Sequence, residues 1–424
     1  MARRCPACGT SYADEVAFCG ADGTVTVHLP EPGEEPDARL GKHFGSYVVV
    51  ARFADGAMGR VYEGRHVDTK AKVAIKILHD DVARDTVAVE RFKREYESAQ
   101  SMPHANIVGV IDFGETGDGS WYMTMEFLDG EELSQLLRRE GGVPHPRLVR
   151  ILAQVALALD HAHSFGVIHR DLKPDNIFLC ATPEGDIAKV LDFGSVKLQL
   201  ETGPKLTAFG TTLGSPYYMS PEQAMGKFDV DQRTDVFALG AILYEMLTGK
   251  VAFEGDNVAA IIMKIMSAQP APPTQVKPGM PPALDDVVEK AVRKDKTRRY
   301  EGTRALAEAA IKAWGLTGTV EELASRPVAD IAASMGVAVP PPPRPFGVQT
   351  APPPTSAAAR AAGGPAIPRA APTPRVSRES LDGAGGSVVP LASKKNNQLL
   401  LLGAIGGMAL LTLCGCGILA YFLR

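Results

Sequence analysis

The run His169-Arg170-Asp171-Leu172-Lys173-Pro174-Asp175-Asn176 sets a carboxylate (Asp171) and an amide (Asn176) five residues apart. A lysine stands between them, and Pro174 limits local helix. Asp192-Phe193-Gly194 follows after two short strand-like runs, 177–179 and 188–191. Divalent cations that bridge phosphates need hard oxygen ligands, and Asn176 with Asp192 would supply them. Asp171 is then left to accept the proton of an incoming hydroxyl. Upstream, Val73-Ala74-Ile75-Lys76 puts a lysine in a strand, where burial disfavours its charge unless a partner is near. A polyphosphate would be such a partner, and so would Glu95 in Arg91-Phe92-Lys93-Arg94-Glu95. Between two earlier strands, Phe53-Ala54-Asp55-Gly56-Ala57-Met58-Gly59-Arg60-Val61-Tyr62 carries glycines that let backbone approach phosphates closely. In this order the motifs describe a site for phosphoryl transfer.

Those groups need elements to hold them. Runs 47–50, 59–64, 72–78 and 121–127 are rich in β-branched and aromatic residues and bounded by Gly or Asp, and one helix interrupts them near 88–101. Beyond about Glu131 the pattern turns helical: 148–163 and 235–248 show apolar residues at i, i+3, i+4 and i+7. The expected architecture is α+β, a strand-rich lobe followed by a larger helical one. With 424 residues, 45% hydrophobic and 22% charged, the chain can hold one large two-lobed domain with extensions. A net charge of −4 gives no footprint for nucleic acid.

The chain resembles the protein kinases, specifically the eukaryotic-like (Hanks-type) Ser/Thr kinases of bacteria, over about 47–315. The resemblance implies ATP and Mg²⁺, with Mn²⁺ able to serve in its place, and protein substrates. By position it makes Gly56 and Gly59 the phosphate-covering loop, where Ala54 replaces the first glycine. Lys76 becomes the α/β-phosphate ligand and Glu95 its helix partner. Ala54, Val61 and Ala74 join the nucleotide site, and Glu126 to Leu128, after Met125, become the hinge that bonds adenine through its backbone. Asp171 matches the base, Lys173 the contact to the transferring phosphate, and Asn176 and Asp192 the Mg²⁺ ligands. Lys173 two residues after Asp171 indicates Ser/Thr rather than Tyr specificity. Gly214 to Glu222 resembles the end of the activation segment, with Ser215 where threonine is usual. Glu222 is expected to pair with Arg299, and Asp235 to hold the catalytic loop from beneath. Arg170 before the base implies a phosphorylated partner, and Thr207, Thr211 and Thr212 are candidates for autophosphorylation. The rivals are a catalytically weak pseudokinase scaffold at the membrane and a small-molecule kinase. The retained Lys76, Asp171, Asn176 and Asp192 oppose the first, and the Gly214–Glu222 segment opposes the second.

The flanks carry separate signals. Cysteines fall at 5, 8, 19, 180, 414 and 416, which is not a secreted disulfide framework, and the N-terminus lacks the apolar core of a signal peptide. Residues 1–27 resemble a zinc ribbon: Cys5, Cys8 and Cys19 are candidate Zn²⁺ ligands, with Asp22 at the fourth cysteine's spacing and His28 as the alternative. His161 and His163 read as packing residues and Cys180 as a small buried hydrophobe. Residues 28–46 read as an acidic, solvated connector. Residues 316–397 read as a Pro/Ala-rich linker, disordered from about 340, where 13 of the 32 prolines lie. Leu399 to Leu423 is 25 residues without a charge. At about 1.5 Å per residue that is roughly 37 Å of helix, enough to cross a bilayer core of about 30 Å. Lys394 and Lys395 before the span predict a single-pass inner-membrane protein with the kinase cytoplasmic. The spacing in Gly403-Ala404-Ile405-Gly406-Gly407 suits a helix-packed homodimer.

Overall fold

The β-branched runs between 43 and 126 pair into one antiparallel sheet. In a computed structural model, residues 3–13, 16–29, 37–193, 216–227 and 229–339 are described. A three-stranded sheet comes first, from β1 (Arg3–Arg4), β2 (Ser11–Tyr12) and β3 (Val27–His28), in the order β2-β1-β3. The large sheet holds β4 (His43–Phe44), β5 (Tyr47–Asp55), β6 (Gly59–His66), β7 (Lys72–Leu78), β8 (Val110–Glu115) and β9 (Trp121–Glu126), ordered β4-β5-β6-β7-β9-β8. Helix α1 (Thr86–Ser101) lies between β7 and β8 in sequence; Asp85 caps it by accepting from the Val87 N–H. Its buried face is Phe92, Glu95 and Ala99, so a carboxylate points inward at helical spacing.

After β9 the chain crosses through Phe127, Leu128 and Asp129 into the second lobe. That lobe opens with β10 (Gly130–Glu132), α2 (Leu133–Glu140) and α3 (His145–Ser164), followed by β11 (Ile177–Thr182) and β12 (Gly185–Val190). Strands β10, β11 and β12 form a small sheet. Helices α4 (Pro221–Ala224), α5 (Arg233–Thr248), α6 (Val258–Ser267), α7 (Pro273–Val276), α8 (Ala283–Ala291), α9 (Thr303–Ala313), α10 (Val320–Ser325) and α11 (Val328–Met335) complete it. Helix α3 is buried nearly all round and forms the axis of this lobe. Its buried Arg147 meets Asp186 at 2.6 and 2.9 Å, and Gln154 donates to the carbonyls of Asp186 and Ala324, which satisfies the polar groups inside the core.

The two-lobed α+β expectation holds, while two boundaries move. Helical structure continues past 315: Leu316, Val320, Leu323, Ile331 and Ala332 are buried in the helical core, against the reading of 316–339 as linker. The connector is not merely a solvated spacer either. Asp37 accepts from the Tyr62 hydroxyl at 2.9 Å, Arg39 donates to the Leu78 carbonyl at 3.0 Å, and Phe44 packs edge-on to Tyr122 at 5.8 Å. The N-terminal sheet is docked as well: Val25 and Phe18 pack with Val48 and Val50 of β5, and Arg3 lies 3.8 Å from Glu63 of β6. The span at 399–423 lies outside the described residues, as do the threonines at 207, 211 and 212. Among the described residues no helix is long and apolar enough to cross a membrane.

Candidate active site

Strand β7 carries Lys76 to the middle of the large sheet, where Val61 faces it on β6, with Ala54 of β5 next in the same row. Ala74 lies beside Met125 of β9. The Lys76 ammonium reaches Glu95 Oε1 at 2.7 Å and Asp192 Oδ1 at 3.2 Å. Burial alone would push the ammonium down, but the carboxylates of Asp192 and Glu95 hold it above its ordinary value. Burial pushes the Glu95 carboxyl up to about 7, against the pull of Lys76. Lys76 lowers Asp192 to about 2, so that carboxylate stays charged.

The glycine loop turns at 55–59, where the Gly56 N–H donates to the Gly59 carbonyl at 2.9 Å. Gly59 has no room for a side chain: a Cβ there would stand 2.2 Å from the Ile77 carbonyl oxygen. Phe53 packs on Phe127 at 5.3 Å, and His79 Nε2 lies 2.8 Å from the Gly56 carbonyl oxygen. At the hinge the Glu126 N–H donates to the Gly109 carbonyl at 2.8 Å, while its carboxylate takes the Gly109 N–H and the Lys189 ammonium, each at 2.7 Å.

The catalytic loop follows α3. Arg170 and Asp192 both have left-handed backbones, φ 64° and 56°, which for non-glycine residues cost of order 1–3 kcal/mol each and persist only when over-determined. The constraint is visible. Asp235, wholly buried on α5, accepts from the N–H groups of His169 and Arg170, both at 2.9 Å, and lies 2.8 Å from His163 Nε2. Burial works against its charge, but those bonds keep the carboxyl below its usual range. His169 Nδ1 accepts from the Asp171 N–H at 3.3 Å, so its Nε2 is the donor to the Leu191 carbonyl at 2.8 Å. Its ring also stands 4.8 Å from that of buried Phe193, which fixes the residue after Asp192.

Asp171 is half-exposed, with Lys173 Nζ 3.0 Å from Oδ2. Asn176 donates through Nδ2 to the Asp171 carbonyl at 2.7 Å, leaving its amide oxygen as the atom available to a cation. A carboxylate and an amide oxygen suit Mg²⁺. Lys76 lies on its predicted strand and Glu95 on its predicted helix, while Ala54, read as part of the loop between strands, lies within β5. Glu222 and Arg299 form a buried pair with contacts of 2.6 and 2.7 Å. His161 packs between His104 and Phe165, each at 5.0 Å, but His163 is a polar strut to Asp235 rather than a packing residue. Sequence reasoning also missed Gln223, which donates to the Arg170 carbonyl at 2.6 Å. The Ser220-x-x-Gln223 spacing was its only signal.

In the N-terminal sheet, ligand atoms of Cys5, Cys8, Cys19 and Asp22 lie within 4.8 Å of one another, and His28 is not among them. Two turns repeat one pattern. Cys5 bonds Thr10 and Gly9 bonds Cys5 in the first, and Cys19 bonds Thr24 and Gly23 bonds Cys19 in the second. Asp22 occupies in the second turn the place of Cys8 in the first. Cys8 and Cys19 sulfurs are 3.6 Å apart, and Cys5 Sγ is 3.6 Å from Asp22 Oδ2, near the edge lengths of a tetrahedron with bonds of about 2.0–2.3 Å. Hydrogen bonds from Thr10 lower the Cys8 thiol to about 7 and the Thr24 N–H lowers Asp22 to about 2, favouring the deprotonated forms that bind metal, while burial raises the Cys5 thiol. The donor set fits zinc.

A model described as protein kinase domain matches residues 47–311. Serine/threonine-protein kinase pkn3 of Myxococcus xanthus is 39% identical over 277 residues, 64% of this chain and 50% of its own. Serine/threonine-protein kinase PknH of Mycobacterium tuberculosis is 35% identical over 321 residues, 74% of this chain and 49% of its own. The chain spans about half the length of these curated relatives. Among solved structures, the kinase domain of Mycobacterium tuberculosis PknI is similar at a TM-score of 0.52 and 29% identity, covering 65% of this chain and 98% of that one. With the Lys76–Glu95–Asp192 cluster, the Asp171 loop and a family match over more than half its length, the chain belongs to the protein kinase family.

Proposed function

We propose that the chain is a Ser/Thr protein kinase that transfers the γ-phosphate of ATP to Ser/Thr hydroxyls on proteins, itself included. The observation that carries the reading is the Lys76 ammonium held between Glu95 and Asp192, with Asp171 half-exposed beside Lys173. Asn176 and Asp192 would hold Mg²⁺, which when bound neutralises phosphate charge. Lys76 and Lys173 offset the remaining charge, and Asp171 accepts a hydrogen bond from the attacking hydroxyl and takes its proton as the oxygen attacks. The glycine loop and the hinge backbone at Glu126 to Leu128 position the nucleotide. The intact Lys76, Asp171, Asn176 and Asp192 set argues against a pseudokinase. Purified full chain should transfer phosphate to itself and to a generic acceptor, and Asp171→Asn or Lys76→Met should each lower the rate about a thousandfold or more. An undiminished rate in either variant would remove the role given to that residue. Phosphate on Thr207, Thr211 or Thr212 is the expected autophosphorylation mark.

Two further assignments complete the proposal. Cys5, Cys8, Cys19 and Asp22 bind one structural zinc; the support is the repeated turn and the interatomic spacing, and metal analysis under reducing conditions tests it. Leu399 to Leu423 anchors the protein in the inner membrane with the kinase on the cytoplasmic side, and the Gly403/Gly407 spacing packs two spans into a homodimer. The support is sequence alone. Recovery of the full chain in the soluble fraction, or no release on deleting 396–424, would overturn the anchor.

A further inference from the structure

Arg170 is strained, and the peptide groups on both its sides are held by side chains from outside the catalytic loop. Its N–H goes to Asp235 Oδ1 at 2.9 Å, and its carbonyl takes Gln223 Nε2 at 2.6 Å. That carbonyl belongs to the peptide that joins Arg170 to Asp171, so whatever fixes it fixes the root of the Asp171 side chain. The orientation of the Gln223 amide is set by its partners. Its Oε1 accepts from the Ser220 N–H at 3.0 Å and from the Ser220 hydroxyl at 3.1 Å, which leaves Nε2 as the donor to Arg170. Gln223 is backed by a rigid block. Ser220 is buried and its hydroxyl lies 3.3 Å from that of Thr234, which donates to Glu222 at 2.9 Å, and Glu222 is paired with Arg299. Thr234 directly precedes Asp235. Both clamps on Arg170 therefore issue from one assembly, α4 with the first turn of α5.

We propose that Gln223 is a positioning residue for phosphoryl transfer: through the Arg170 carbonyl it holds the strained loop in the conformation that aims Asp171. This rests on the reading of Asp171 as the base. A left-handed residue keeps that conformation only while its surroundings over-determine it. Losing the Gln223 clamp leaves the 170–171 peptide held only by the 3.3 Å bond from the Asp171 N–H to His169, so the peptide rotates and moves the Asp171 carboxylate without touching the Lys76 cluster. The effect belongs to the chemical step and not to ATP binding.

Gln223→Glu separates this role from folding. Glutamate at this place keeps the Ser-x-x-Glu capping box of α4, since its carboxylate accepts from Ser220, but it has no N–H for Arg170. The full chain carrying Gln223→Glu should stay folded with a melting temperature lowered by a few degrees, because a carboxylate oxygen now faces the Arg170 carbonyl. It should bind ATP with affinity within about twofold, while kcat falls about tenfold or more. In the Asp171→Asn background the same substitution should produce no further loss, because its effect runs through Asp171. A Gln223→Glu enzyme with kcat within about twofold of the parent would overturn the proposal, and so would an equal, independent loss in the Asp171→Asn background. An Asp171→Asn protein that keeps full activity would instead refute the assignment of the base, which distinguishes the two failures.

Discussion

Removing Glu222 should destabilise the helical lobe about as much as truncating a large core side chain. The Arg299 guanidinium has no exposed side-chain surface and Glu222 has 5%, so Glu222→Ala strands a cation in the core. Breaking a buried pair by deleting one partner costs about 3–5 kcal/mol. Arg299 keeps the carbonyls of Arg293, Arg233 and Lys294 at 2.7, 2.9 and 3.3 Å and its place over the Phe237 ring, which puts the expected loss near the lower end, about 3 kcal/mol. For a domain of this size that is a fall of about 5–10 °C in melting temperature. Thr234 loses its acceptor as well, so the loss should not come out smaller. Chemical denaturation of parent, Glu222→Ala, Arg299→Met and the apolar double variant Glu222→Leu/Arg299→Met gives the test. The double variant should cost less than the sum of the singles, because it removes both charges together. Burial opposes the Glu222 charge but Arg299 outweighs it, so the folded carboxyl titrates below its ordinary value. The pair's contribution is therefore full above about pH 4.3 and is lost as pH falls through the folded value, where parent and Glu222→Ala should converge. A loss below about 1 kcal/mol at neutral pH, or strict additivity in the double variant, would refute the reasoning.

Three other outcomes are expected. Glu95 titrates at about 7, so kcat/KM for ATP should fall as pH drops below 7 and protonation frees Lys76; in Glu95→Gln this limb should vanish, and an unchanged limb would assign it elsewhere. Gly59→Ala forces a methyl against the Ile77 carbonyl and should raise KM for ATP at least about tenfold, read from initial rates across ATP concentrations. Asp22→Cys restores a four-thiolate set and should slow zinc release to a competing chelator, whereas Cys8→Ser should abolish stoichiometric zinc by metal analysis.

The candidate site was legible because the residues that a phosphoryl-transfer reading needs fall in short runs. Lys76, Asp171, Asn176 and Asp192 were found from type and spacing, and the buried glutamate of α1 followed from its place near the strand lysine. The pairing of Glu222 with Arg299 and the underpinning by Asp235 came through the family pattern, and the hydrogen bonds bear out both. Gln223 escaped because its partner is 53 residues away and only the approach of α4 brings them together. Helices α10 and α11 escaped for a different reason. A proline-rich composition beyond 340 coloured the reading of 316–339, although Thr319-x-x-Glu322 is a capping box and Val328, Ile331 and Ala332 fall at helical spacing. The connector was misjudged on its glutamates; Asp37, Arg39 and Phe44 were the residues with partners in the sheet.

The docked N-terminal sheet and the last two helices bear on where this protein can be cut. The stretch recognisable as a kinase runs from 47 to 311. A fragment trimmed to it would uncover Val48 and Val50, now covered by Val25 and Phe18, and would strip Val320, Leu323 and Ile331 from α3. Each cut opens an apolar patch on a different lobe, and such patches drive aggregation. Beginning the fragment at residue 3 and ending it at 339 keeps both covers, so its yield of soluble protein should exceed that of the 47–311 piece.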